Sequence, residues 1–81
     1  MKNNLLSTLS SRICLKIKLE RMKRNISQDE LASAAGLNRN TIGKLERMET
    51  SPTIETIEKI AKVFDIDFLE LVDTSKVDLQ D

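Results

Sequence analysis

The chain has 81 residues, which suits a single domain near the lower size limit for a hydrophobic core that is stable without disulfides or a structural metal. Two aromatic residues and a single cysteine mean that the core must be aliphatic, and they exclude an internal disulfide and a cysteine-based metal site. Net charge is zero, no apolar stretch is long enough for a membrane span and the N-terminus lacks an uninterrupted signal-peptide core, so we expect a soluble cytoplasmic protein.

The first part of the chain is predicted to form a short N-terminal segment, called the lead here, followed by a long helix. Residues 1–8 are expected to form a loosely packed lead, followed by a helix from about Leu9 to Arg24 that Asn25 terminates. Apolar and polar residues alternate between Ile13 and Leu19, and this pattern taken alone indicates a strand. The length of the segment, its cap and the helix pair that follows favour the helix.

As a helix, this segment carries two apolar stripes. The first contains Leu9, Ile13 and Ile17, and the second contains Leu15, Leu19 and Met22. The second stripe would be exposed in a minimal domain, and we expect the N-terminal segment at Leu5 and Leu6 to cover it. Contact with a partner protein is the alternative.

The segment Gln28–Arg47 predicts two short helices with a tight corner between them. Ser27 and Glu30 have the spacing of a capping box, and Gly36 stands where a helix end needs a positive φ. Asn38 is a suitable N-cap for the second helix. Ile42 and Leu45 would then face inward, with a polar face on the other side.

That polar face predicts a surface that can enter the major groove of DNA. It consists of Arg39, Asn40, Gly43, Lys44 and Arg47. Gly43 is either a tolerated weak point in the helix or a place where the backbone approaches a base closely. The alternative for the whole segment is an ordinary helical hairpin with a solvated charged face.

Two more helices are expected after a loop at Met48–Pro52. One starts near Thr53, and its apolar face comprises Ile54, Ile57, Ile60, Ala61 and Phe64. The last starts at Asp67, which has capping-box spacing to Glu70. Residues 74–81 are acidic and expected to be disordered, so the predicted domain spans residues 9–73.

The charges are strongly segregated along the chain. Residues 1–27 carry seven basic side chains and one acidic, whereas residues 49–81 carry three basic and nine acidic. DNA affinity depends on the local basic surface rather than on the total charge. A neutral chain is therefore compatible with DNA binding.

The segments ISQDELASAAGLNRNTIGKLER and SPTIETIEKIAKVFDIDFLEL resemble the phage-repressor class of regulators, often called the XRE family. The signature positions are occupied by Gln28, Ala32, Gly36, Ile42 and Leu45, and the similarity extends from about Ile13 to Val72. The resemblance implies an all-α fold, a compact five-helix lambda-repressor-like domain. It also implies a sequence-specific regulator that binds an inverted-repeat operator as a homodimer.

The resemblance also implies roles for individual residues. Arg39, Asn40 and Lys44 would contact bases, and Gln28 would contact a phosphate. Beside Gln28, we expect phosphate contacts from Thr41 and Arg47 and from Asn38, which also caps the helix. Arg21 and Glu46 would form a structural ion pair, and the dimer contact would involve Phe68, Leu71 and Val72. Asp29 and Glu30 resemble an acidic patch that some relatives offer to RNA polymerase, although capping and helix-dipole compensation also explain them.

Two residues depart from the pattern of the family. Relatives usually have a glycine where this chain has Met48, so the recognition helix can end differently. The following loop is usually basic, but here Glu49 lies close to where a phosphate would be. Both departures suggest modest DNA affinity or a stronger dependence on dimerisation.

The biological role stays open at this level. The small size resembles phage-type repressors and the controller proteins of restriction–modification operons, which activate as well as repress. With no histidine, no phosphate-cradling glycine loop and no metal-ligand spacing, we expect neither an enzyme nor a cofactor. The alternative is a protein-interaction module such as an antitoxin, which the stripe of Leu15, Leu19 and Met22 would support.

Overall fold

The structure, a computed structural model, describes residues 8–75 and 77. Within these residues the chain forms five helices and no strand, which confirms the all-α class. They are α1 (Leu9–Lys23), α2 (Gln28–Ala35), α3 (Arg39–Glu46), α4 (Ile54–Phe64) and α5 (Phe68–Val72). The lead expected over residues 1–8 and the tail expected over residues 74–81 lie mostly outside the described residues.

The alternating segment near the N-terminus is helical, as expected. The hydroxyl oxygen of Thr8 accepts a hydrogen bond from the Ser11 backbone N–H at 3.0 Å and so caps α1. Asn25 follows the helix with φ 58°, a left-handed conformation that asparagine tolerates. Ile13 and Ile17 are buried, but Leu9 of the same stripe is 55% exposed because it lies at the first position of the helix.

One aliphatic core joins the helices. Its fully buried members come from the first four helices and from α5: Cys14, Ile17, Leu31, Ile42, Leu45, Ile60 and Leu71. The apolar face of α4 is buried as predicted, with the exception of its first residue, Ile54, which is 68% exposed. That prediction was wrong because Ile54 lies at the start of α4, on the rim of the core.

Arg24 ties α1 to the end of α4. Its guanidinium carbon lies 4.6 Å from the centre of the Phe64 ring, and Nη2 donates to the Phe64 carbonyl oxygen at 3.0 Å. The same guanidinium pairs with Glu20 one turn earlier. Burial raises the pKa of Glu20, but hydrogen bonds and charge from Arg24 and Lys23 outweigh it, so the net shift is downward.

The short helix α5 packs on α1 without the cap that its sequence predicts. The Asp67 side chain makes no capping hydrogen bond, so the expected capping box with Glu70 is absent. Instead, the Lys16 ammonium donates to the backbone carbonyls of Glu70 and Asp73 at 2.8 and 2.9 Å. A cation at the C-terminal end of a helix satisfies carbonyls that have no partner within the helix.

Among the described residues, no helix has both the length and the apolar character needed to cross a membrane.

Candidate nucleic-acid interface

Helix α3 is held by two completely buried side chains and presents a polar face outward. Ile42 is 0% exposed and Leu45 is 1% exposed, and both pack into the core. On the other side of the helix, Arg39, Asn40 and Lys44 are exposed. Because the two anchors fix the rotation of α3 about its axis, the three polar side chains must face solvent together. The structure therefore gathers the three predicted base-contacting residues on one surface.

The turn between α2 and α3 contains the capping residues that the sequence predicts. Ser27 accepts from the Glu30 backbone N–H at 2.9 Å, and the Glu30 carboxylate accepts from the Ser27 N–H at 2.7 Å. Gly36 ends α2 with φ 70°. Asn38 then caps α3, since its Oδ1 accepts from the Asn40 backbone N–H at 2.8 Å. The capping oxygen is thus occupied, and the amide NH₂ group of Asn38 is the part that can meet a phosphate.

An ion pair fixes α3 to α1. Arg21 donates from Nε and Nη2 to the two carboxylate oxygens of Glu46 at 2.6 and 2.9 Å, and the exposed side-chain fractions are 13% and 3%. The remaining terminal nitrogen of Arg21 donates to the Ile26 carbonyl at 2.7 Å. The hydrogen bonds to Glu46 raise the pKa of Arg21, with burial opposing them. The ion pair that the resemblance implies is present.

Glu46 also orients the first residue of α2. The amide nitrogen of Gln28 donates to Glu46 Oε1 at 3.0 Å, so the carboxylate serves both Arg21 and Gln28. A side-chain amide carries two donor hydrogens, and Glu46 accepts one of them. The second is the donor that Gln28 can offer to a phosphate.

Gly43 leaves space for two side chains of the protein itself. It is buried, and a Cβ atom at this position would lie 3.0 Å from Nη1 of Arg47 and 3.6 Å from Oε1 of Gln28. Arg47 and Gln28 therefore cover the α3 backbone here. Without DNA, these two side chains occupy the space beside Gly43, and the close approach of this backbone to a base stays a prediction.

The recognition helix ends as it would with glycine, although the residue is methionine. Met48 has φ 61° and its backbone N–H donates to the Leu45 carbonyl at 2.9 Å. A left-handed conformation costs a residue with a Cβ about 1–2 kcal/mol. Met48 is partly buried against the core, and this packing offsets the cost.

The two ends of α3 each carry an arginine paired with a carboxylate. Arg47 donates from Nε and Nη2 to Glu49 at 2.6 and 3.3 Å, and these bonds raise the pKa of Arg47 and lower that of Glu49. At the other end, Nη2 of Arg39 lies 3.3 Å from Oδ2 of Asp29. No local pattern predicts the Asp29–Arg39 pair, because the two residues lie on different helices.

Comparison with known proteins places this arrangement in a family. A family model described as helix-turn-helix matches residues 17–71. The chain belongs to the XRE-type helix-turn-helix family. It is therefore a DNA-binding transcriptional regulator. A search of curated proteins found no match.

Several solved structures share the fold. The N-terminal DNA-binding domain of SinR from Bacillus subtilis is 30% identical with a TM-score of 0.76, over 84% of this chain and 99% of that one. The restriction–modification controller protein C.AhdI from Aeromonas hydrophila is 30% identical with a TM-score of 0.71, over 78% and 94%. The controller C.Esp1396I bound to a 25-base-pair operator is 30% identical with a TM-score of 0.72, over 82% and 91%.

Proposed function

We propose that this protein binds an inverted-repeat operator as a homodimer, with α3 of each protomer in the major groove. The observation that carries the proposal is the exposed group of Arg39, Asn40 and Lys44 on a helix whose opposite side is completely buried. Two such helices, related by a two-fold axis, would enter successive major grooves about 34 Å apart. Similarity to a controller bound to its operator supports this arrangement.

Each base-contacting residue has a preferred acceptor or donor on the base edges. Arg39 can donate to O6 and N7 of guanine, and Asn40 can both donate to and accept from adenine. Lys44 is a less directional donor to guanine. A good bidentate contact supplies about 1–3 kcal/mol of discrimination against the wrong base. These contacts would set the sequence of each half-site.

The phosphate contacts would surround α3 and position it. Gln28 is the best supported of the four candidates, because Glu46 holds its amide at the start of α2. Asn38 is the N-cap of α3 and Thr41 lies in its first turn, where backbone N–H groups favour an anion. Arg47 would first have to leave Glu49. Such contacts fix the register of the protein on DNA without reading sequence.

The dimer surface would lie where α1, α4 and α5 meet. A shallow apolar groove there includes Phe68 and Val72 together with the exposed Leu9 and Ile54. Leu71, which we also expected at the contact, is 0% exposed within its own protomer and has no surface to offer a partner. The proposed interface therefore keeps Phe68 and Val72 and loses Leu71, which is a core residue.

The fold gives little support to a contact between RNA polymerase and α2. The proposed polymerase patch consists of Asp29 and Glu30, and both side chains have partners in the fold. Glu30 accepts from the Ser27 N–H, and Asp29 pairs with the base-contacting Arg39. A carboxylate within 3.3 Å of Arg39 lies on the proposed DNA face, where bound DNA would cover it.

A second candidate function, a protein-interaction module such as an antitoxin, is favoured by one observation. Leu19 is 44% exposed and Met22 is 55% exposed on α1, and Leu15 beside them is partly buried. The N-terminal residues Leu5 and Leu6, which we expected to cover this stripe, lie outside the described residues.

Selection from random duplex DNA, with sequencing at two salt concentrations, tests the proposal. We expect an enriched inverted repeat and an affinity that falls steeply as salt rises. Arg39→Ala and Lys44→Ala should each relax the preference at a defined base pair, whereas Lys62→Ala on the exposed side of α4 should not. Absence of any enriched sequence would contradict sequence-specific binding and favour the protein-partner function.

A further inference from the structure

The ion pair between α2 and α3 places a carboxylate beside a base-contacting arginine. Asp29 is the second residue of α2, and Arg39 is the first residue of α3. Oδ2 and Nη2 are 3.3 Å apart, and the two side chains are 63% and 75% exposed. The pair therefore stands on the surface, where it adds little to the stability of the fold.

The neighbouring carboxylate in the first turn of α2, Glu30, caps the helix. Glu30 accepts from the Ser27 backbone N–H and completes the capping box. Asp29 is not needed for that cap. Its position in the first turn of α2 nevertheless favours a negative charge, because the helix dipole is positive there. Asp29 is thus held where it can act on Arg39.

We propose that Asp29 is a positioning residue for sequence specificity, which directs Arg39 towards a guanine edge and away from phosphate. The inference rests on the proposed function, because it assumes that Arg39 contacts bases. The Asp29 contact uses Nη2, so Nη1 and Nε keep their donor hydrogens for a second acceptor. An arginine in this pair can still donate to a base.

The two acceptors on DNA differ in charge, and this difference is the source of the selectivity. The O6 and N7 atoms of guanine are neutral, so a guanine can join the pair without bringing two anions together. A phosphate is negative and would be repelled by the adjacent carboxylate. Pairing with Asp29 also removes a net positive charge from the face, which lowers the counterion release that drives non-specific binding.

The same residue is therefore expected to weaken binding to random DNA more than binding to the operator. Its neutral isostere, Asp29→Asn, keeps the side-chain shape and removes the charge. We expect it to raise affinity for non-operator duplex by a factor of about 1.4 to 5, the range of an exposed ion pair. Discrimination at the base pair read by Arg39 should fall by a similar factor, while the other positions keep theirs.

The experiment measures competition binding with three kinds of duplex at two salt concentrations: the operator selected by the unaltered protein, its single-base variants, and a non-operator sequence. Arg39→Ala identifies the base pair that Arg39 reads. In the Arg39→Ala background, Asp29→Asn should have no further effect on that position. Glu58→Gln, a matched loss of one exposed carboxylate on α4, corrects for the change in net charge.

The outcomes separate the two proposals. If the unaltered protein prefers no sequence, the proposed function fails and this inference fails with it. If Arg39→Ala relaxes one base pair but Asp29→Asn leaves discrimination there unchanged, only the inference is overturned. An increase in affinity with Asp29→Asn that matches Glu58→Gln would also overturn it, since the effect would then be one of total charge.

Discussion

Glu46 offers the sharpest test of how the recognition helix is held. Its side chain is 3% exposed and accepts hydrogen bonds from Arg21 and Gln28. The substitution Glu46→Gln keeps the shape but removes the charge, and it places an amide NH₂ group against the donors of a largely buried guanidinium.

The size of the effect follows from the environment of Arg21. Removing one partner of a buried ion pair costs about 3–5 kcal/mol, because the other charge is left without compensation. Arg21 is 13% exposed and keeps its hydrogen bond to Ile26, so the lower end applies. We expect a loss of about 3 kcal/mol. For a domain of this size, that loss corresponds to a decrease in Tm of about 12–24 °C.

Urea and thermal unfolding followed by far-ultraviolet circular dichroism measure this loss. Glu55→Gln is the matched control, because Glu55 forms an exposed pair with Lys59 and should change the free energy of unfolding by less than about 0.5 kcal/mol. A double-mutant cycle with Arg21→Met should show that the two single losses sum to more than the loss in the double variant. Equal losses for Glu46→Gln and the control, or additive losses in the cycle, would show that the Arg21–Glu46 pair does not stabilise the fold.

Both glycines, the loop after α3 and the ion pair of Glu20 can be tested by single substitutions. Gly36→Ala should lower the free energy of unfolding by about 1–2 kcal/mol, because φ is +70° at this position although the space for a Cβ is open. Gly43→Ala should not destabilise the fold, because the contact of its Cβ at 3.0 Å is with the flexible end of Arg47. Urea unfolding distinguishes them, and equal losses would contradict the assignment. Glu49→Gln should release Arg47 from its ion pair and raise DNA affinity equally for all sequences. The slope of log affinity against log salt concentration should become steeper by about 1. A change in affinity confined to one base pair would contradict this. The pKa of Glu20 is lower in the folded protein than the ordinary value of 4.5, so the unfolded chain takes up this proton first as pH falls. The Glu20 ion pair therefore stabilises the fold above about pH 4.5, and this contribution is lost as pH falls through the pKa of Glu20 in the folded protein. Glu20→Gln should flatten this part of the curve of stability against pH. An unchanged curve would show that the ion pair does not cause the loss of stability in acid.

Much of the recognition unit could be predicted from the sequence because its signals are local. The capping box at Ser27, the positive φ at Gly36 and the N-cap at Asn38 each depend on a few neighbouring residues, and all three are present. The inward positions of Ile42 and Leu45 follow from helical periodicity. These features were sufficient to place Arg39, Asn40 and Lys44 on one exposed face.

Where helices meet, periodicity alone was misleading. Ile54 has the spacing of a core residue but lies on the rim of the core. Leu71, which the resemblance assigned to the dimer contact, is completely buried within its own protomer. Asp67 has the spacing of a capping box without forming one. Burial depends on which element covers a face, and a pattern within one helix contains no information about its neighbours.

Interactions over three or four positions specify the helices, their caps and the exposed polar residues of α3, so the order of the residues is enough to predict these features. Which charges meet depends instead on the packed fold. Asp29 contacts Arg39, and Glu46 serves Arg21 and Gln28, because packing brings separate helices together. Met48 likewise takes the left-handed conformation that its residue type disfavours, because the packed domain fixes the path of the chain at that point.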